Sequence, residues 1–181
     1  ELDLTGTQTF DLEALRGMKL KNLILRGTRV GNLSPLAGMP ITSLDTTLIP
    51  AIDYSPLTGA PLKECCLQAS PVRDLSFLRD SQVEVLSLAG SGDARGFAVL
   101  AGLKSLNLVI LPTTYRSLPQ EDLAAIAGLR AHPALRNIDT SERRTGVWQI
   151  QTAQTAEEFW KSWDREEAFT RVLRDGGFKC T

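Results

Sequence analysis

Apolar residues return along this chain at a fixed interval. Leu2, Leu23, Leu44, Cys65 and Leu86 stand 21 residues apart, and Leu108 follows 22 later. Two residues beyond these starts come Leu4, Leu25, Thr46, Leu67, Leu88 and Ile110, and thirteen beyond the first four come Leu15, Leu36, Leu57 and Leu78. A period of this size marks an architecture of stacked units. Each unit opens with apolar residues flanking one outward residue, the alternation of a strand buried on one face. A bend follows, where Gly6, Gly27 and Gly90 permit positive φ and the next residue, Thr7, Thr28 or Ser91, can bond the backbone. Ser34-Pro35 and Ser55-Pro56 then suit a helix N-cap and first helical position, with room for a single 3₁₀ turn. The predicted unit is strand, bend, short helical turn and return. One unit cannot bury its own leucines; stacked units can, with parallel strands about 4.8 Å apart.

The pattern is broken in places. The third unit has Thr46 where a core leucine is expected and Ile49 where threonine is expected, which predicts a loose or re-packed coil. The fifth unit is one residue longer and carries Arg95-Gly96-Phe97-Ala98 in place of Ser-Pro. Residues 112–154 have no repeat equivalent. Within them, Pro119 to Ala131 reads as a helix with Glu121 and Asp122 in its first turn, ended by Pro133. A strand through Leu135 to Ile138 adds a rung. A second helix begins at the capping box Thr155/Glu158 and carries Phe159, Trp160, Trp163 and Phe169 among charges up to Asp175-Gly176. All three tryptophans lie in 148–163, as a cap covering the apolar end of a stack requires. Thr140 to Thr145, with Arg143 and Arg144, reads as a solvated loop.

Leu20, Leu23, Leu25, Thr28 and Val30, at spacing L-x-x-L-x-L-x-x-T-x-V, resemble a leucine-rich repeat. Asn32 to Pro40, reading N-L-S-P-L-A-G-M-P, resembles the short bacterial repeats of internalins, and also the arrays attached to large bacterial serine/threonine kinases. In those arrays a closing segment comes next, to which Leu129, Arg130, Leu135, Ile138 and then Glu158-Phe159-Trp160-Lys161 are similar. The resemblance implies an α/β leucine-rich-repeat solenoid: a parallel concave sheet, short 3₁₀ or irregular convex turns and a helical C-terminal cap. The expected division is 1–111, five to six coils, and 112–181, a capping region with two helices. The chain starts with Glu1 and with no cap before Leu2, so a fragment of a larger protein is expected.

Composition narrows the function classes. Twenty Lys+Arg against 21 Asp+Glu give a net charge of −1, evenly spread, which disfavours nucleic acid as a partner. No apolar run is long enough to cross a bilayer, so no membrane contact is expected from this segment. Of three cysteines Cys65 and Cys66 are adjacent, which disfavours a disulfide framework. No cofactor is expected: the chain has neither a G-x-x-x-x-G-K-[ST] nor a G-x-G-x-x-G phosphate cradle and no zinc-ligand spacing. The single histidine, His132, precedes Pro133 at a helix end, a capping position. In the repeat frame Cys65 faces the core and Cys66 faces outward, where an exposed thiol could react; no histidine or cation cluster falls in register to lower its pKa.

The outward positions of the strands form a regular array: Asn22, Ser43, Glu64 and Val85; Asp3, Ile24, Asp45, Cys66 and Ser87; Thr5, Arg26, Thr47, Gln68 and Ala89. Extended concave repeat surfaces commonly bind proteins. The expected function is a non-enzymatic protein- or peptide-binding module that uses Arg26, Asp45, Glu64, Cys66 and Gln68 on this face. The alternatives are a structural spacer or sensory domain of a larger signalling protein, as the resemblance to kinase-attached arrays implies, and a thiol-dependent enzyme using Cys66.

Overall fold

A computed structural model describes residues 1–140 and 153–174, except the side chains of 169 and 171–174. Arg143, Arg144, Trp148, Asp175, Gly176, Cys180 and the side chain of Phe169 lie outside the described residues.

Each unit's alternating segment forms a strand of two or three residues: β1 (Leu2–Asp3), β2 (Asn22–Ile24), β3 (Ser43–Asp45), β4 (Glu64–Cys66), β5 (Val85–Ser87) and β6 (Leu108–Ile110). A further strand, β7 (Asn137–Asp139), adds the expected last rung. All are parallel and paired in chain order in one sheet. Leu2, Leu23, Leu44, Cys65 and Leu86 are successive register partners, so the period of 21 is the step of the stack. The convex side is made of single 3₁₀ turns at Glu13–Leu15, Ser34–Leu36, Ser55–Leu57 and Ser76–Leu78, and a longer one at Phe97–Gly102. One continuous apolar core runs through the coils, from Leu12 and Leu23 to Ile138.

The helical turns begin one residue earlier than Ser-Pro implies, and the capping side chain stands two residues before the serine. Ser34 and Ser55 are already inside their turns, and the Oδ1 of Asp11, Asn32, Asp53 and Asp74 accepts the N–H of the residue two further on, at 2.8–2.9 Å. This column of Asx turns satisfies donors that would otherwise be orphaned on the convex side. In the fifth coil Arg95 takes that place, Gly96 turns with φ +81°, and the cap comes from elsewhere. Asp122, in the first turn of helix α1 (Gln120–Gly128), accepts the N–H of Gly96 at 3.0 Å and of Phe97 at 2.9 Å. The helix docks on the long 3₁₀ turn through a carboxylate that replaces the missing Asx cap.

One expected register is corrected. Leu86 pairs with Val109, 23 residues on, so Val109 and Leu111 face the core while Leu108 and Ile110 face the concave side. The fifth unit is longer by two residues, and a one-residue slip flips every side chain to the other face. Leu108-Val109-Ile110-Leu111 is apolar at every position, so alternation could not report the slip.

The stack ends in helix α2 (Ala156–Arg174). Thr155 and Glu158 form the predicted capping box: the Thr155 N–H donates to Glu158 Oε2 at 2.8 Å and the Glu158 N–H to Thr155 Oγ1 at 3.2 Å. Phe159, Trp160 and Trp163 are buried and pack with Tyr115 as one aromatic cluster. Arg116 lies 4.8 Å from the Trp163 ring centre and pairs with Glu166 at 2.6 Å, while Arg130 lies 5.0 Å from the Trp160 ring. His132 is structural. Its Nδ1 accepts from the N–H groups of Ala134 and Leu135, which leaves Nε2 to donate to the Leu103 carbonyl at 3.1 Å.

Candidate functional site

The concave sheet face is set by the strands, whose outward residues stack at the coil spacing. It is not uniformly open. Asp3 and Thr5 are exposed and Asn22, Ile24, Arg26, Ser43 and Glu64 are half-buried, but from the third coil onward the two rows at and after the strand ends are closed. Three of the residues expected there as accessible contacts are buried: Asp45 and Gln68 at 6% and Cys66 at 0%. Arg26 and Glu64 stay accessible.

The reason is lateral hydrogen bonding between coils. Arg26 Nη2 donates to Asp45 Oδ2 at 2.6 Å, and Asp45 Oδ1 accepts the Thr47 N–H at 2.9 Å. Thr47 Oγ1 lies 3.3 Å from Cys66 Sγ, and Gln68 Nε2 donates to Ser87 Oγ at 2.9 Å. Side chains drawn into such a ladder cover one another. The carboxylate of Asp45 raises the pKa of the Arg26 guanidinium, chiefly through this bond. At the far end the face turns apolar, with Ala89, Leu108 and Ile110 buried together and Val85 and Ala153 packed on them.

Cys66 is therefore not the exposed thiol expected from the repeat frame. Burial, helped by the Asp45 carboxylate, pushes its pKa up to about 11, and Cys65, wholly in the core, is pushed up further. A thiol held protonated out of solvent is a poor nucleophile. Among the described residues no three His, Cys, Asp or Glu side chains are placed to hold a metal ion, and no helix is long and apolar enough to cross a membrane.

Two features were legible in the sequence but visible only once the coils were stacked. The Asx column is present there as Asp11, Asn32, Asp53 and Asp74 at the 21-residue period, so Arg95 marks a gap that some other group has to fill. The bend column of Gly6, Gly27 and Gly90 is interrupted by Leu48 and Ala69, and both hold positive φ, +61° and +49°.

No protein-family model and no curated protein matches the chain. Among solved structures it is similar to the crystal structure of an internalin (inlF) from Listeria monocytogenes, at 20% identity with a TM-score of 0.58. The match covers 76% of this chain and 39% of the internalin chain, so this chain spans well under half the length of that neighbour. Together with the seven parallel strands and short 3₁₀ turns, the likeness shows the leucine-rich-repeat solenoid fold.

Proposed function

We propose that this leucine-rich-repeat chain is a non-enzymatic recognition module for a protein or peptide, with repeats 1–111 carrying the binding face and 112–181 closing the stack. The observation that carries the reading is the state of Arg26. Its side chain is 32% exposed at the open end of the concave face, while Asp45 beneath holds it at 2.6 Å. A cation oriented in advance loses little side-chain freedom on binding. Beside it Ile24 offers an apolar surface, and Glu64, bonded by the Ser43 hydroxyl at 3.1 Å, offers a fixed acceptor. Asp45, Cys66 and Gln68 then act as the buried support of this face and not as its contacts. A thiol-dependent activity gains no support at Cys66, which is buried and protonated.

The test is affinity capture from a lysate of the source cells, with the wild type beside Ile24→Asp/Arg26→Glu. Proteins retained by the wild type and lost by the double variant are the expected result. The same set on both, or none on either, would favour the spacer reading.

A further inference from the structure

The bends that leave the strands place alternate residues outward, and in the third coil all of these are apolar. Leu48, Pro50 and Ile52 point out, Leu48 48% and Ile52 49% exposed, while Ile49 and Ala51 between them are buried. The stacked positions elsewhere differ: Gly27, Arg29 and Gly31 in the second coil, Ala69, Pro71 and Arg73 in the fourth. A Cβ added at Gly27 or Gly31 would meet nothing within 4 Å, so the second coil forms a trench beside the ridge of Leu48 and Ile52. Phe10, 73% exposed in the first coil, stands at the stacked position on its other side.

This ridge is kept against two local preferences. Leucine is disfavoured at φ +61°, where three other coils use glycine, and an apolar side chain gains nothing by facing water. Its flanks are cationic. Arg29 and Arg73 are exposed, and neither joins an ion pair among the described residues. The neighbouring carboxylates of Asp53 and Asp74 are committed to the caps of Ser55 and Ser76 at 2.8 Å.

We propose that the Leu48–Ile52 ridge, with Arg29 and Arg73 on either side, is a docking surface for an extended peptide segment of a partner protein that carries an apolar side chain between two carboxylates. Arg29 and Arg73 are two coils apart, about 10 Å along the stack, which an extended peptide spans in about three residues. A second copy of the same patch is a poor occupant, because it would bring arginine against arginine. A flat membrane is another, because a planar surface cannot enter the trench at Gly27 and Gly31 beside the ridge, whereas an extended peptide can.

The probe is a phage-displayed random dodecapeptide library, panned on the wild-type chain with excess soluble Leu48→Gly/Ile52→Ser as competitor. Enriched peptides should carry Leu, Phe or Trp between acidic residues three or four apart. The synthesised peptide, followed by fluorescence anisotropy, should bind at least tenfold more weakly to the double variant and to Arg29→Glu/Arg73→Glu. It should bind unchanged to Ile24→Asp/Arg26→Glu, which separates this surface from the concave face. Leu48→Gly alone should lose affinity while raising the thermal midpoint, a combination that misfolding cannot produce. Failure to enrich any sequence, enrichment without acidic residues, or loss of binding only with the concave variant would overturn the proposal. So would adsorption to phosphatidylserine vesicles that the ridge variants abolish.

Discussion

Thr46 and Tyr54 each interrupt a leucine column, and they do so together. Tyr54 stands where the neighbouring coils have Leu33 and Leu75, and its hydroxyl donates to Thr46 Oγ1 at 3.0 Å. Thr46 Oγ1 in turn donates to the Cys66 carbonyl at 3.2 Å, and Ser70 Oγ bonds the Thr46 carbonyl. Ile49, at 1% exposure, fills the place of the missing threonine. The third coil is thus re-packed around a polar pair and is not loose. Thr46→Val should cost about 1–3 kcal/mol by leaving the buried tyrosine hydroxyl short of its acceptor, and Tyr54→Phe about 1 kcal/mol. The double variant should lose less than the sum, a coupling that urea unfolding of the four proteins will measure. Burial also holds the Tyr54 phenol protonated to about pH 12 from an ordinary 10, and the Cys66 thiol to about 11 from 9. The folded state then keeps protons that the unfolded state releases. Stability should be level up to about pH 9 and fall as pH rises towards 12, by up to about 1.4 kcal/mol per pH unit per group. Tyr54→Phe should flatten the fall above pH 10 when urea midpoints are compared at pH 8, 10 and 11.

At the scale of elements the repeated device is a side-chain oxygen, from a carboxylate or an amide, placed two residues before the N–H it caps. Four coils carry it within their own sequence; the fifth receives it from α1. That makes Asp122 the joint between the repeats and the chain beyond them. It is 3% exposed, with Oδ1 shared by two N–H donors. Asp122→Ala takes the acceptor from both N–H groups, leaves the buried Phe97 donor without a partner and should cost about 1–3 kcal/mol. Asp122→Asn retains an acceptor oxygen and should cost about 1 kcal/mol or less. The comparison is read best by amide exchange, where Gly96 and Phe97 should lose protection in the alanine variant first. Equal losses in both variants would show that the charge, and not the acceptor geometry, holds α1.

For the whole molecule the sheet is a one-dimensional stack, so each coil is stabilised by its neighbours and the last one by α2. The aromatic cluster of Tyr115, Phe159, Trp160 and Trp163 joins α2 to the segment after β6. The Ala156 N–H donates to the Arg136 carbonyl at 2.7 Å, tying the helix start to β7. Deleting 155–181 should uncover Tyr115 and the core side of β7 at Ile138, and cause aggregation or loss of cooperative unfolding. A soluble, monomeric, cooperatively folding 1–154 chain, by light scattering and calorimetry, would contradict the capping role.

The repeat period, the inward leucine columns, the bends, the single-turn convex side and the capping box could all be read from the chain itself. Each depends on residues close in sequence or on a pattern repeated often enough to average out exceptions. Tertiary structure decided the rest. The register of β6 depends on how many residues the longer turn Phe97–Gly102 and its return absorb, which Leu108-Val109-Ile110-Leu111 cannot report because both faces of that strand are apolar. The role of Asp122 is set by a partner 26 residues away with no period to announce it. Alternation assigned Asp45, Cys66 and Gln68 to the outward face, but which side of a sheet a residue points to is a property of the strand. Whether it meets solvent depends on its neighbours across coils, and there Arg26, Thr47 and Ser87 close over it.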